Sequence, residues 1–273
     1  MNRKCILMAL FLSFVGGKLF GQNLLSNGDF EVYKSKPKKS GDFELVDVNN
    51  PSFSNSTSPD FFWGKRPRRY KAQPKSGKGM VGLICYHDQL KGKESYREYV
   101  SLKLETKMKT GKRYEINFWV TNYFYTTDQQ MQRRNSNFSG RFFLEALGIN
   151  FSLKEPVQNG SSLIKPDCYF KVSIDDYYKY WVQVNLVVEA SSDFKYITIG
   201  SFEPDSLLNL HKGDNGGLQP FAYYFIDDVS IKAIPSSILE KVKVVDCVEQ
   251  TIQKDTINIE EPCLLYTSPS PRD

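Results

Sequence analysis

The feature that most constrains this chain is a series of short segments in which apolar and polar residues alternate with a period of two. In segment 113–122, Tyr114, Ile116, Phe118 and Val120 fall on one face of an extended strand. Further segments of this kind lie at 95–105, 141–151, 180–189, 196–202 and 223–232. The 19 Phe and 16 Tyr favour strands. Because no long amphipathic helix and no βαβ alternation occurs between residues 23 and 234, the pattern predicts an all-β fold, an antiparallel β-sandwich or jelly roll in one domain.

The two ends of the chain differ from this central region. Residues 1–22 have the basic start and short apolar run of a cleaved secretory signal peptide, with an uncleaved anchor as the alternative. The β-sandwich domain is expected at 23–234, followed at 235–262 by a linker or the start of a truncated downstream region. Residues 263–273 match nothing before them and are interpreted as a non-native tail. We therefore expect an exported protein in the periplasm, outer membrane or cell surface, whose downstream domain is missing.

Three long polar segments are predicted to be loops of the sandwich, at 34–62, 126–140 and 203–221. Loops of this length in a compact domain are often functional.

The net charge argues against nucleic acid as a partner, and the length of the apolar runs argues against a transmembrane segment. Removing Arg3, Lys4 and Lys18 with the signal from 36 basic residues leaves 33, against 31 acidic residues. This balance gives no reason to expect nucleic acid as a partner. No later run of about 18 apolar residues occurs, so no transmembrane segment is expected in the mature chain. A basic cluster between residues 65 and 78 is explained equally well by a solvated loop and by an anion site.

Four cysteines remain after the signal: Cys85, Cys168, Cys247 and Cys263. In an oxidising compartment they allow three pairings, of which Cys85–Cys168 is the first choice because both lie in the folded region. Free buried thiols are the alternative. No spacing typical of a zinc site occurs.

Catalytic motifs are absent from the sequence. There is no GxSxG elbow, HExxH helix, P-loop or dinucleotide fingerprint, and His87 and His211 lie in loop-like contexts. Asp175 and Asp176 are adjacent, and on a strand they would point to opposite faces and not act as a pair. The chain is therefore expected not to be an enzyme, with a glycoside hydrolase as the least favoured alternative.

The two ends of the folded region resemble a known superfamily. Residues 23–31 read NLLSNGDFE and residues 223–231 read YYFIDDVSI. This pair resembles the opening and closing strands of galactose-binding-like jelly rolls, which include many carbohydrate-binding modules. The motifs SPDFF at 58–62, PKSGKG at 74–79 and YREYV at 96–100 are similar to those of N-terminal modules of OmpA-family envelope proteins. The resemblance spans 23–234 and implies that the first and last strands lie side by side.

A structural calcium ion often sits between those strands in the superfamily, so Ca²⁺ is the expected cofactor. By alternation Asp227 shares a face with Phe225, Val229 and Ile231, which predicts an inward carboxylate, and Glu31 on the first strand supplies a second. Two such carboxylates call for a cation, since calcium takes carboxylate and carbonyl oxygens. The alternative is that Glu31 caps a loop and Asp227 accepts backbone amides.

Candidate ligand-binding residues are aromatic side chains at strand ends or in loops, because a planar ring stacks on the apolar face of a sugar. They are Trp63, Tyr86, Tyr123, Tyr125, Tyr177 and Tyr178. Arg97 and Tyr99 share the outward parity of their strand, which predicts an exposed stack of the two side chains.

The expected function is a non-catalytic binding module of a bacterial envelope protein that recognises a glycan or a cell-surface protein partner. A purely structural spacer before a lost peptidoglycan-anchoring domain is the rival interpretation.

Overall fold

The described part of the computed structural model comprises residues 21–33, 59–64, 73–87, 96–122, 142–159, 163–173, 181–212 and 221–235. Eleven strands lie in it: β1 Asp60–Trp63, β2 Gly79–His87, β3 Val100–Lys103, β4 Arg113–Thr121, β5 Phe142–Leu144, β6 Ala146–Ser152, β7 Cys168–Ser173, β8 Val182–Glu189, β9 Tyr196–Gly200, β10 Leu210–Lys212 and β11 Phe221–Ala233. One 3₁₀ turn, Asp205–Leu207, precedes β10.

Two antiparallel sheets and one short ribbon organise these strands. The first sheet, called sheet A, has the order β1-β2-β11-β4-β8, and the second, sheet B, has the order β3-β9-β6-β7. The ribbon pairs β10 with β5. The prediction of an all-β antiparallel sandwich is thus confirmed. No helix in the part described here is long and apolar enough to cross a membrane.

The main core lies between the two sheets and follows directly from the period-two pattern. In β4, Tyr114, Ile116, Phe118 and Val120 are all buried in it, while the residues between them are half-buried on the opposite, outer face. Strands β6 and β9 contribute in the same way from sheet B. A second apolar cluster lies on the outer face of sheet A and comprises Phe62, Met80, Phe221, Tyr223 and Phe225.

The opening segment joins the closing strand, as the resemblance implied. Asn23 forms a bridge with Lys232 on β11. The N–H of Val229 donates to the carbonyl of Gly28 at 2.8 Å. A Cβ at Gly28 would overlap the carbonyl oxygen of Val229, so only glycine permits this close approach.

The predicted elements differ from the observed ones at several places. Of the described residues in segment 95–105, only Val100–Lys103 form a strand, and the backbone N–H of Glu98 instead donates to the carbonyl of Ile84 in β2. Segment 141–151 divides at Glu145 into β5 and β6, which belong to different sheets. The predicted loop 34–62 contains the first three residues of β1, and 203–221 contains the 3₁₀ turn and β10. The predicted loop 126–140, residues 1–20 of the signal peptide predicted at 1–22, residues 236–262 of the predicted linker and the predicted tail 263–273 lie outside the described residues.

Cys85 and Cys168 are both buried and no disulfide joins them, so the first-choice disulfide is wrong and the alternative of two buried thiols is what the fold contains. Burial raises the pKa of the Cys85 thiol far above its ordinary value, which keeps this thiol protonated.

Candidate functional site

The outer face of sheet A carries partly exposed tryptophans beside exposed amide side chains. Trp119 on β4 and Trp181 just before β8 are both half-buried. Gln183 lies opposite Trp119 in the β4–β8 register and is exposed. Asn185 lies opposite Asn117 and is exposed as well. We call this set of side chains the outer face platform.

The loop formed by residues 73–78 lies against the platform. The indole N–H of Trp181 donates to the carbonyl of Gln73 at 3.0 Å. The ammonium nitrogen of Lys75 lies 3.7 Å from the centroid of the Trp119 ring. A cation over an indole face is an attractive contact, worth about 0.5–1 kcal/mol at an exposed site. The 73–78 loop thus touches both tryptophans.

Two carboxylates hold this loop through its backbone. Asp227 Oδ2 accepts the N–H groups of Lys75 at 2.7 Å and Ser76 at 3.3 Å. Glu31 Oε1 accepts those of Lys78 at 2.6 Å and Gly79 at 2.7 Å. The two predicted metal ligands therefore bind neighbouring stretches of one loop, Asp227 at residues 75–76 and Glu31 at residues 78–79.

Asp227 faces away from the core, which corrects the sequence prediction. Its partner across the sheet is Trp119, whereas the partner of Ser230 is Asn117, and the register shifts between them. Asp228 has a positive φ of 52° at this β-bulge. The bulge adds one residue to the alternation, so Val229 and Ile231 point into the core while Asp227 shares the outer side with Trp119. The side chain is still fully buried, under the 73–78 loop.

The geometry of these carboxylates fits amide anchoring better than a metal site. Asp227 Oδ1 also accepts the N–H of Asp228, at 2.7 Å. Backbone N–H groups present positive charge where a cation would have to bind. Among the described residues no group of three or more His, Cys, Asp or Glu side chains is arranged to hold a metal ion. The calcium site of Glu31 and Asp227 stays a prediction, and the alternative use of both carboxylates accounts for their positions.

Burial changes the pKa of two acids on this side of the sheet. Loss of solvent raises the pKa of Asp227 to about 7, and the neighbouring charge of Asp228 adds to the effect. Burial also raises the pKa of Asp60 to about 6, although the hydrogen bond from Tyr223 opposes it. That hydroxyl donates to Asp60 Oδ2 at 2.5 Å.

Of the six aromatic residues predicted from the sequence to bind a ligand, Trp63 and Tyr86 lie in the described part of the chain. Trp63 is half-buried beside the main core, with its ring centroid 4.3 Å from that of Tyr33. Tyr86 is buried, and the guanidinium carbon of Arg97 lies 5.6 Å from its ring centroid. Tyr123, Tyr125, Tyr177 and Tyr178 lie outside the described residues. Whether any of these six side chains binds a ligand stays a prediction.

Arg97 and Tyr99 are buried, so the predicted exposed stack is wrong. Arg97 has no exposed surface and donates to Asp205 at 2.5 Å. Tyr99 donates its hydroxyl to the carbonyl of Ser201 at 2.8 Å. The alternation rule fails here because residues 96–99 do not form a strand, and the segment around residues 201–205 covers them.

The tryptophans of the platform were missed for a specific reason. In segment 113–122, alternation places Trp119 on the face opposite Phe118 and Val120, so the sequence alone indicates that this ring lies outside the core. Ligand-binding rings were expected in loops and at strand ends, whereas Trp119 lies within strand β4.

Comparisons with known proteins give similarity of structure alone. No protein-family model matches the chain. No curated protein matches it either. Among solved structures, a Stig cyclase FisC from Fischerella sp. TAU, in complex with a pyrrolidinylidene-indole, is similar with 12% identity over 79% of this chain and 98% of that one, at a TM-score of 0.45.

Two carbohydrate-binding structures are also similar. The CBM22-1 xylan-binding domain of Paenibacillus barcinonensis Xyn10C shares 13% identity over 60% of this chain and 78% of its own, with a TM-score of 0.31. A CBM4 structure shares 9% identity over 77% and 99%, with a TM-score of 0.34. All of these scores are low, so they do not bear on ligand or activity. The fold and the site define an antiparallel β-sandwich with an aromatic and amide platform on one outer face.

Proposed function

We propose that this chain is a non-catalytic carbohydrate-binding module of an exported bacterial envelope protein, and that the outer face platform binds the glycan. The observation that carries the proposal is the position of Trp119 and Trp181, half-buried on one sheet face beside the exposed amides of Gln183 and Asn185. Indole rings offer flat apolar surfaces to a sugar ring, and amides donate to and accept from its hydroxyl groups.

Export, the envelope location and a downstream OmpA-family domain are parts of the proposal that rest on the signal-like start and on the sequence resemblance.

The test is a polysaccharide array probed with the purified domain and its Trp119→Ala and Trp181→Ala variants. Each variant is expected to weaken binding at least tenfold, because an aromatic anchor at a binding site contributes about 2 kcal/mol or more. Tyr196→Ala is the matched control, since Tyr196 is a half-buried aromatic residue at the start of β9 in the other sheet.

Two outcomes would count against the proposal. If the wild-type domain binds no glycan, the spacer interpretation is favoured. If Trp63→Ala abolishes binding in a folded protein while both platform variants bind normally, the glycan site is the one expected from the sequence instead. Melting temperatures of all variants exclude misfolding as the cause.

A further inference from the structure

The side chain of Lys75 occupies the place where a sugar would approach Trp119. Its ammonium lies 3.7 Å from the Trp119 ring centroid, while the residue itself is exposed. Within the described residues, Lys75 forms no salt bridge with a carboxylate. A ligand that reaches this ring therefore meets a positive charge whose only described partner is the ring.

Hydrogen bonds around Lys75 hold the 73–78 loop in place, and so keep this ammonium beside Trp119. The N–H of Lys75 is bound by Asp227, and the hydroxyl of the next residue, Ser76, donates to Asp228 Oδ1 at 2.7 Å. A long, flexible lysine side chain loses rotamer entropy when a ligand fixes it. Because the loop and the indole already restrict Lys75, a ligand that pairs with it pays less of this cost.

The nearby acids do not cancel this charge at the surface. Asp227 is fully buried, and both of its oxygens accept N–H groups. Glu31 Oε1 accepts the backbone N–H groups of Lys78 and Gly79. Asp228 is half-buried and accepts the hydroxyl of Ser76. The described hydrogen bonds of these carboxylates thus come from backbone and hydroxyl donors, whereas the ammonium of Lys75 contacts the Trp119 ring.

We infer that the platform binds an acidic glycan, one bearing a carboxylate or sulfate group, and that Lys75 is the specificity-determining residue that pairs with this group. The inference rests on the proposed function and names its ligand class. A neutral sugar would use only the rings and the amides, and would have to displace the Lys75 ammonium from Trp119 without replacing its partner. An acidic sugar gives the ammonium an oxyanion in exchange.

The experiment compares polymers that differ only in charge. Binding of the purified domain is measured to de-esterified and methyl-esterified homogalacturonan, and to a sulfated galactan and its desulfated form. We expect about fivefold tighter binding to the charged member of at least one pair, as for one partly exposed ion pair, and a smaller preference in high salt. The pair that shows the preference identifies whether carboxylate or sulfate is recognised.

The variants separate charge from packing. Lys75→Met keeps the backbone N–H that Asp227 binds and an apolar side chain over Trp119, and it is expected to remove the preference for charge. Lys103→Met is the matched control, because it removes one exposed lysine from β3 in the other sheet. It should leave the preference unchanged.

Each other outcome is informative. Equal affinity for both members of each pair, or a preference that persists in Lys75→Met, overturns the acidic-glycan inference and leaves the proposed function standing. Binding to neutral glycans alone has the same meaning. Failure to bind any polymer in these pairs or on the array would contradict the proposed function itself.

Discussion

At the scale of single residues, Asp60 on the outer face of sheet A is an acid whose pKa is shifted by burial. Its carboxylate accepts the hydroxyl of Tyr223, a member of the outer apolar cluster. Burial raises the pKa of Asp60 to about 6, well above the ordinary value near 4. The folded protein therefore binds a proton at Asp60 that the unfolded chain has already released between these two pH values.

The pH dependence of stability follows from this difference. Since the folded state holds more protons, the contribution of Asp60 is most favourable below about pH 4 and declines as pH rises to about 6. Asp60→Asn should remove this decline, which is on the order of 2–3 kcal/mol in the free energy of unfolding. Urea unfolding of both proteins between pH 4 and 8 measures it.

Asp227 contributes a decline of the same sign up to about pH 7, and it cancels in the comparison because both proteins contain it. Tyr223→Phe is a second variant. It removes the hydrogen bond that lowers the pKa of Asp60, so the decline should extend to higher pH. Parallel curves for wild type and Asp60→Asn would contradict the assignment.

At the scale of elements, the 73–78 loop connects the chain's two terminal motifs to the platform. Glu31 comes from the opening segment and binds the N–H groups of residues 78 and 79, and Asp227 comes from β11 and binds those of residues 75 and 76. The acidic residues conspicuous in the sequence therefore act on the position of a loop that touches both tryptophans.

Amide anchoring and calcium binding by these two carboxylates differ in their response to chelation. Anchoring predicts that EDTA leaves the melting temperature of the purified domain unchanged and that metal analysis finds no stoichiometric calcium. Glu31→Gln should still lower the melting temperature by a few degrees, because a charge-assisted bond to two N–H groups becomes a neutral one. Stoichiometric calcium together with a clear fall in melting temperature in EDTA would establish the metal site instead.

At the scale of the whole molecule, the opening segment closes the sandwich by lying along the last strand. Leu24 donates its N–H to the carbonyl of Ile231 at 2.8 Å, and Asn23 Oδ1 accepts the N–H of Ile231 at 2.9 Å. The contact between Gly28 and Val229 continues this pairing. Residues more than 200 positions apart in the chain thus share one layer.

Gly28→Ala tests how far stability depends on this closure. Because the new methyl group would overlap the carbonyl of Val229, the segment must separate from β11, and we expect a loss of about 3 kcal/mol or more in unfolding free energy. Gly111→Ala is the control: its φ of 74° is unfavourable, and no atom lies within 4 Å of the new Cβ. That substitution should cost about 1–2 kcal/mol. Equal losses for both would argue against the closure.

The sequence by itself determined the fold class and much of the core. Period-two alternation places Tyr114, Ile116, Phe118 and Val120 on one face whatever the partner strands are, because a pleated strand has only two sides. The motifs at 23–31 and 223–231 resemble the first and last strands of a known superfamily, and this resemblance predicted that the two segments meet. These are local or motif-level properties, and they can be stated without coordinates.

Only the tertiary structure decided where the side chains of the candidate site lie and which of them meet. The bulge at Asp228 reverses which side Asp227 occupies, and alternation along one strand does not by itself identify which residue a bulge inserts. The burial of Arg97 depends on Asp205, more than 100 positions away. The juxtaposition of Lys75 with Trp119 likewise depends on strand order and on a loop held by distant carboxylates. A periodic pattern defines the face of one strand, whereas contacts between strands arise only when the sheets assemble.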